Sequence, residues 1–118
     1  MNATKNNPTC SGNILQSNGN LSVTGISNAT KFGISYGSIG YNGPNYLNSH
    51  SLGYNSSNIS STATSISITS LSTSSIIIRM FNGEEACYRD LVFSFVIPSC
   101  TGGGGSIELG DVTVSCEI

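Results

Sequence analysis

Residues 75–98 read SIIIRMFNGEEACYRDLVFSFVIP and contain more apolar side chains than any other stretch of the chain. Two runs rich in β-branched and aromatic residues, 76–81 and 91–97, flank the dipeptide Asn82-Gly83 and a short polar bend. Asn-Gly accepts positive φ angles, and the turns it forms match the right-handed twist of paired strands. In the second run, leucine and phenylalanine recur at every other position, which indicates a strand with one buried face. The stretch therefore predicts a β-hairpin at the core of the fold.

The rest of the chain predicts further short strands and no helix. Residues 14–15 and 21–24 flank Asn18-Gly19, which predicts a second hairpin turn, and residues 31–36 and 64–71 alternate between apolar and polar side chains. No window combines a 3.6-residue period with helix-capping residues. Short strands at a spacing of about ten residues, separated by Gly and Asn turns, are typical of an all-β antiparallel sandwich.

Composition limits the classes of protein that fit. A chain of 118 residues is one domain by size, and only 8% of its residues are charged, with a net charge of -2. Four basic residues without a cluster argue against nucleic acid as a partner. No apolar run approaches the roughly 20 residues that a membrane-spanning helix needs. The segment after Met1 is polar and lacks the pattern of a signal peptide, so we expect a mature segment of a longer protein.

The four cysteines, Cys10, Cys87, Cys100 and Cys116, contain no C-x-x-C spacing. A zinc site needs closely spaced ligands, and the single histidine, His50, lies in a polar segment, so no metal or other cofactor is predicted. An even number of cysteines indicates disulfides and therefore an oxidising, extracellular environment. Of the three possible connectivities, we expect Cys10–Cys87 together with Cys100–Cys116.

The chain divides at its third cysteine. Residues 1–100 are predicted to form the β-module, and residues 101–106, TGGGGS, have the composition of a flexible linker. Residues 107–118 alternate again and predict a C-terminal strand. This strand can be shared with a neighbouring module, grafted onto this one, or be the beginning of the next module, and the sequence alone leaves these alternatives open.

No catalytic residue is predicted. His50 lies between two serines, but contiguous residues do not form a catalytic triad, and no nucleophile-elbow motif is present, so we expect an exposed loop histidine. Glu84, Glu85 and Asp90 near the hairpin turn are of the type that binds calcium, together with Asn82, but EF-hand spacing is absent. We therefore predict a protein that is not an enzyme and has no metal site.

The long loop within residues 37–54 is the candidate ligand-binding surface. Its aromatic and amide side chains, Tyr41, Asn45, Tyr46 and Tyr54, are of the type that contacts sugar rings. A loop of this length is either functional or packed on itself. The competing interpretation is that Tyr41 and Tyr46 simply pack over one end of a sheet.

Several short motifs occur in the order of a known repeat domain. They are residues 28–37 (NATKFGISYG), residues 41–46 (YNGPNY), residues 78–83 (IRMFNG), residues 86–90 (ACYRD) and the closing Pro98-Ser99-Cys100. Across residues 9–100 the chain resembles the module of tandem-repeat surface proteins and adhesins of gliding bacteria of the Bacteroidetes type. The resemblance implies an immunoglobulin-like β-sandwich, export to the cell surface and a structural or adhesive task. It implies no catalytic residues.

These observations predict a non-catalytic structural or adhesive module of a bacterial cell-surface tandem-repeat protein or surface filament. Its expected partners are neighbouring copies or modules of the same surface protein, contacted through strands or end to end. The alternative is a lectin-like domain that binds surface glycans through the 37–54 loop.

Overall fold

The computed structural model describes residues 1–37 and 40–100, and its regular elements are all β-strands. None of the described residues belongs to a helix with the length and hydrophobicity that a membrane crossing requires. The ten strands, in chain order, are β1 (Asn2–Asn6), β2 (Cys10–Ser11), β3 (Ile14–Leu15), β4 (Gly19–Thr24), β5 (Lys31–Tyr36), β6 (His50–Ser51), β7 (Ile59–Ser61), β8 (Ile66–Leu71), β9 (Ser75–Phe81) and β10 (Tyr88–Ser94). The predicted all-β class is confirmed.

The strands form two four-stranded sheets and one two-stranded sheet, in which all pairs are antiparallel. The first sheet has the order β1-β4-β8-β7, and the second has the order β10-β9-β5-β6. The small third sheet pairs β2 with β3. Strand β9 lies between β5 and β10, so the most apolar strand of the sequence has a neighbour on each side.

Side chains from both large sheets meet in one buried cluster. The first sheet contributes Leu21, Val23, Ile66, Ile68 and Leu71, and the second contributes Phe32, Ile34, Ile76, Ile78 and Met80. In β4, β5 and β9 these residues occupy alternate positions, and in β8 the alternation is interrupted before Leu71, where Ser70 has a φ of 61°. Each sheet therefore has a face that points to the cluster, here called the core face. Burial of this apolar surface is the main favourable contribution to folding.

The hairpin that was predicted as the core is present. Strand β9 ends at Phe81, β10 begins at Tyr88, and Gly83 in the turn has a φ of 79°. Strand β10 begins earlier than predicted, because pairing with β9 resumes as soon as the turn ends. The predicted alternation is retained, since Phe95 is buried while Val92 is 65% exposed.

The predicted hairpin turn at Asn18-Gly19 is wrong. Gly19 is the first residue of β4, which pairs with β1 and β8, and β3 pairs with β2 instead. The turn between β2 and β3 contains Gly12, whose φ is 61°. Gly19 is required for close approach, because a Cβ there would lie 2.9 Å from the carbonyl oxygen of Leu71.

The predicted disulfide pairing is also wrong. Cys10 is bonded to Cys100, with a Cα–Cα distance of 5.7 Å and a sequence separation of 90 residues, and Cys87 is an exposed free thiol. Since Cys100 is occupied, the predicted Cys100–Cys116 bond does not form either. Strand β10 explains the outcome, because it leads the chain away from Cys87 toward the segment that precedes Cys10. On the loop-entropy model, closing a loop of this length stabilises the fold by about 4–5 kcal/mol.

Cys116, the linker predicted at residues 101–106 and the strand predicted at residues 107–118 lie outside the described residues.

Candidate functional site

The face of the second sheet that points away from the core is its outer face. Register places Lys31, Phe81 and Tyr88 in one row across this face, and Gly33, Arg79 and Asp90 in the next. Phe81 is fully buried although it does not belong to the shared core cluster. The part of the outer face around Phe81 and Arg79 is therefore covered, and the cover is the segment 41–46.

Arg79 is at the centre of the outer face. Its Nε and Nη2 atoms donate to the two carboxylate oxygens of Asp90 at 2.7 and 2.8 Å. Its guanidinium carbon lies 4.2 Å from the ring centroid of Tyr41 and 3.7 Å from that of Tyr88. The hydrogen bond to Asp90 raises the pKa of Arg79, so the side chain remains cationic between its two rings.

Tyr41 lies directly over the second sheet. Its hydroxyl donates to the carbonyl oxygen of Pro44 at 2.5 Å, and Gly33 beneath it leaves room for this hydroxyl. Burial is the largest influence on the pKa of Tyr41 and raises it to about 12; Arg79 lowers the pKa, while Asp90 and Glu85 raise it further. The phenol is consequently neutral and serves as a hydrogen-bond donor at ordinary pH.

Tyr46 attaches the same loop to the hairpin. Its backbone N–H donates to Oε1 of Glu85 at 2.7 Å, and Lys31 Nζ donates to its carbonyl oxygen at 3.1 Å. Lys31 Nζ also lies 4.6 Å from the centroid of the Tyr46 ring, and this ring meets Phe81 edge-on at 5.6 Å. These contacts hold the loop against the outer face at a second point.

The other two predicted ligand contacts have different surroundings. Tyr54 stacks on His50 with a centroid distance of 3.8 Å and an interplanar angle of 7°, and no described ring contact joins it to the loop tyrosines. Asn45 is exposed, and its Oδ1 accepts from the backbone N–H of Asn48 at 3.0 Å. The expectation of an exposed loop histidine is wrong, because His50 is half-buried in β6, 5.6 Å from the ring of Phe32.

The structure thus brings Tyr41 and Tyr46 together on one loop and leaves Tyr54 at a separate place. Arg79 covers one face of the Tyr41 ring, and Lys31 covers one face of the Tyr46 ring. The two tyrosines pack over the outer face of the sheet rather than over its end. These contacts hold the loop against the sheet. They also occupy ring faces on which a bound sugar would have to stack.

The acidic residues near the hairpin turn do not converge. Asp90 is paired with Arg79, and Glu85 accepts from the backbone of Tyr46. Within residues 1–37 and 40–100, no group of three or more His, Cys, Asp or Glu side chains is placed to hold a metal ion. The acidic residues that were considered as calcium ligands are therefore separate groups in the part of the chain that the structure describes.

A groove of about 310 Å³ opens where β1 and β10 begin. Met1, Gly25, Ile26, Met80, Cys87 and Arg89 are among the residues that line it. Of these, Cys87 is chemically the most reactive side chain, because its thiol is free and exposed.

Sequence reasoning missed Arg79 as an organising residue. The available signal was a single arginine inside the most apolar strand, since a charge in that position needs a partner. Asp90 was one of three acidic residues near the turn of the same hairpin, with Glu84 and Glu85.

Comparison of the chain with protein-family models, with curated proteins and with solved structures found no match.

Proposed function

We propose that this chain is a non-catalytic module of a bacterial cell-surface tandem-repeat protein or surface filament, with a structural or adhesive task. The observation that carries the proposal is the Cys10–Cys100 disulfide, which joins the segment after β1 to the segment after β10. A disulfide that persists indicates an oxidising environment such as the cell exterior. The resemblance of residues 9–100 to adhesin repeats agrees with this location.

We also propose an immunoglobulin-like β-sandwich. In such folds, one sheet contains strands A, B, E and D, and the other contains C, F and G. The order β1-β4-β8-β7 corresponds to A-B-E-D, and the order β10-β9-β5 corresponds to G-F-C. The buried cluster that both sheets share supports face-to-face packing. The disulfide joins the ends of the module instead of crossing between inner strands.

The mechanism is mechanical. In a tandem array, force enters a module at its two ends, and here Cys10, which follows β1, is covalently joined to Cys100, with the two Cα atoms 5.7 Å apart. Tension passes through the sulfur–sulfur bond, so residues 11–99 are protected from extension. Strand β1 is the described strand that lies outside this closed loop. A module of this kind keeps its length under tension and meets neighbouring copies or modules end to end or through strands.

The cellular part of the proposal can be tested on intact cells of the source organism. Antibodies raised against this chain should label unbroken cells, and blocking thiols before extraction should leave Cys10 and Cys100 unmodified and linked. Labelling only after lysis, with both cysteines alkylated, would show an intracellular protein and reject the proposed location.

The second candidate function is carbohydrate binding. Two of its predicted contacts are accessible, since Asn45 is exposed and Tyr54 is 37% exposed. Calorimetric titration with a panel of oligosaccharides tests this function, and Asn45→Ala serves as the binding-deficient variant. Binding heat that is measured with the natural sequence and is absent with Asn45→Ala would favour the lectin-like function. Absence of heat with every sugar would favour the structural function.

A further inference from the structure

Asparagine is followed by glycine at three places in the chain, namely Asn18-Gly19, Asn42-Gly43 and Asn82-Gly83. At such a step the asparagine side chain can react with the next main-chain nitrogen, because glycine has no side chain to shield that nitrogen and restricts its own backbone least. The structure places the three steps in different surroundings. They should therefore react at different rates in the folded protein.

The reaction is deamidation, and its only co-reactant is water. The glycine nitrogen attacks the side-chain carbonyl carbon of asparagine, a new C–N bond forms, and the side-chain amide nitrogen leaves as ammonia. Water then opens the resulting cyclic imide at either of its carbonyls, which yields aspartate or isoaspartate. In isoaspartate the main chain runs through the side-chain carbons and is one methylene longer. The first step requires rotation about the Cα–C bond of asparagine, so that the glycine nitrogen reaches the side chain.

Asn18-Gly19 is held by hydrogen bonds and by its place in a sheet. The Asn18 Oδ1 atom accepts from the N–H of Thr9 at 2.9 Å, and Nδ2 donates to the Thr9 hydroxyl at 2.7 Å. Gly19 is buried in β4, opposite Leu71 of β8. Rotation here requires the strand to leave the sheet, so the reaction should be slow in the folded state.

Asn42-Gly43 is held by packing. A Cβ atom on Gly43 would lie 2.7 Å from the carbonyl oxygen of Ile34 and 2.8 Å from the hydroxyl of Tyr41. The peptide group therefore has no space to turn while the segment 41–46 lies on the second sheet. Asn42 is exposed, but its reaction also requires displacement of this loop.

Asn82-Gly83 has neither restraint. Both residues are exposed, and a Cβ atom on Gly83 would meet no described atom within 4 Å. The Asn82 side chain forms none of the hydrogen bonds found among the described residues. The Gly83 N–H donates to the hydroxyl of Thr30 at 2.9 Å in an exposed setting. A bond of this kind opens in a local fluctuation, without unfolding of the sheets.

We propose that Asn82 is a site of spontaneous deamidation in the folded protein, whereas Asn18 and Asn42 are preserved. We further propose that the isoaspartate product releases the segment 41–46 from the hairpin at Tyr46. Such a modification goes beyond the proposed function and does not depend on it.

The connection to the loop lies in the turn itself. The turn is closed by the Asn82 N–H, which donates to the carbonyl oxygen of Cys87 at 2.9 Å. Within it, Glu85 Oε1 accepts from the backbone N–H of Tyr46 at 2.7 Å. An extra methylene at residue 82 lengthens the main chain of this closed turn, so it shifts the Glu85 carboxylate away from Tyr46. The contacts of Lys31 with Tyr46 lie outside the turn and should remain.

The first experiment measures the rate at each step. The full chain is incubated folded in a mildly alkaline buffer, and in parallel in guanidinium chloride, and mass spectrometry of digests follows aspartate and isoaspartate formation. In denaturant the three asparagines should react at similar rates. In the folded chain Asn82 should react faster than Asn18 and Asn42 by on the order of tenfold or more. Folded-state rates that are equal at the three positions, or an Asn82 that stays unmodified, would overturn the modification site.

The second experiment measures the effect on the loop through hydrogen exchange at the Tyr46 amide. Exchange should become faster by on the order of tenfold in the incubated natural chain, because this N–H loses its acceptor. Asn82→Gln is the control for incubation, since its longer side chain resists the cyclisation, and exchange should not change. Freshly prepared Asn82→Asp carries the new charge without the extra methylene and should also retain slow exchange. Protection of Tyr46 that survives isoaspartate formation, or is equally lost in fresh Asn82→Asp, would overturn the proposed release.

Discussion

The hydroxyl of Tyr41 occupies the space that a side chain on Gly33 would need. Gly33 is buried in β5, directly opposite Arg79 in the register of the sheet, and the loop that carries Tyr41 closes over both. Glycine at this position is a requirement of close approach and not of backbone conformation. The covering loop can therefore pack against the sheet at this point because residue 33 has no side chain.

We predict that Gly33→Ala destabilises the protein by about 1–3 kcal/mol, because the added methyl group displaces Tyr41 from Pro44 and Arg79. Urea unfolding measures this change. Gly40→Ala is the matched control, since a Cβ there would meet nothing within 4 Å. Equal stability of the two variants would show that the loop does not rest on Gly33.

Replacing each of the two buried serines by alanine should change the stability of the protein in different ways. Ser61 Oγ donates to the carbonyl oxygen of Tyr54 at 2.6 Å and accepts from the N–H of Gly53 at 3.0 Å, whereas Ser35 Oγ has no partner in the described structure. Ser61→Ala should cost about 1–3 kcal/mol, and Ser35→Ala should be neutral or stabilising. Unfolding free energies of the two variants provide the comparison, and a loss at Ser35 as large as that at Ser61 would contradict it.

The pair of Arg79 and Asp90 should contribute more than an ordinary surface ion pair. Both side chains are partly buried, and Asp90→Ala leaves the guanidinium without its bidentate acceptor. We expect a loss of about 1–3 kcal/mol in the free energy of unfolding. Glu84→Ala removes an exposed acid from the same hairpin and is the control. A Glu84 variant as unstable as the Asp90 variant would indicate that only net charge matters.

Tyr41 predicts a dependence of stability on alkaline pH. Its pKa is raised from 10.0 to about 12, so folding favours the neutral phenol. This contribution is fully present below about pH 10 and is lost as the pH rises through about 12. The stability of the natural chain should fall over this interval relative to Tyr41→Phe, as followed by urea midpoints. Tyr54→Phe is the control for general alkaline effects, and a constant difference between the natural chain and Tyr41→Phe would contradict the prediction.

Local signals in the sequence predicted the elements that depend on neighbouring residues. The β9–β10 hairpin and strands β5 and β8 follow from alternation and from the Asn82-Gly83 turn, both of which act over a few residues. Asn18-Gly19 carried the same turn signal and was misleading. There, tertiary packing against Leu71 took Gly19 into a strand.

The disulfide and the covered outer face depend on how distant strands are ordered, and the sequence carries no local record of this order. Cys10 meets Cys100 because β10 leads the chain back toward the segment after β1. Tyr41 meets Arg79 because the loop after β5 folds back over β9. The sequence indicated that the loop tyrosines belong to one surface. It did not indicate which residues they contact, because those contacts depend on the order of the strands.

Stretching single molecules by their two ends tests whether the Cys10–Cys100 bond carries tension past residues 11–99. In a Cys87→Ser chain, which isolates the Cys10–Cys100 bond, unfolding the oxidised module should release only β1 and the segments outside residues 10–100. After reduction, the same module should lengthen by a further amount of about 300 Å. A gain of that size in the chain before reduction would show that Cys10 and Cys100 are not linked and that tension extends residues 11–99.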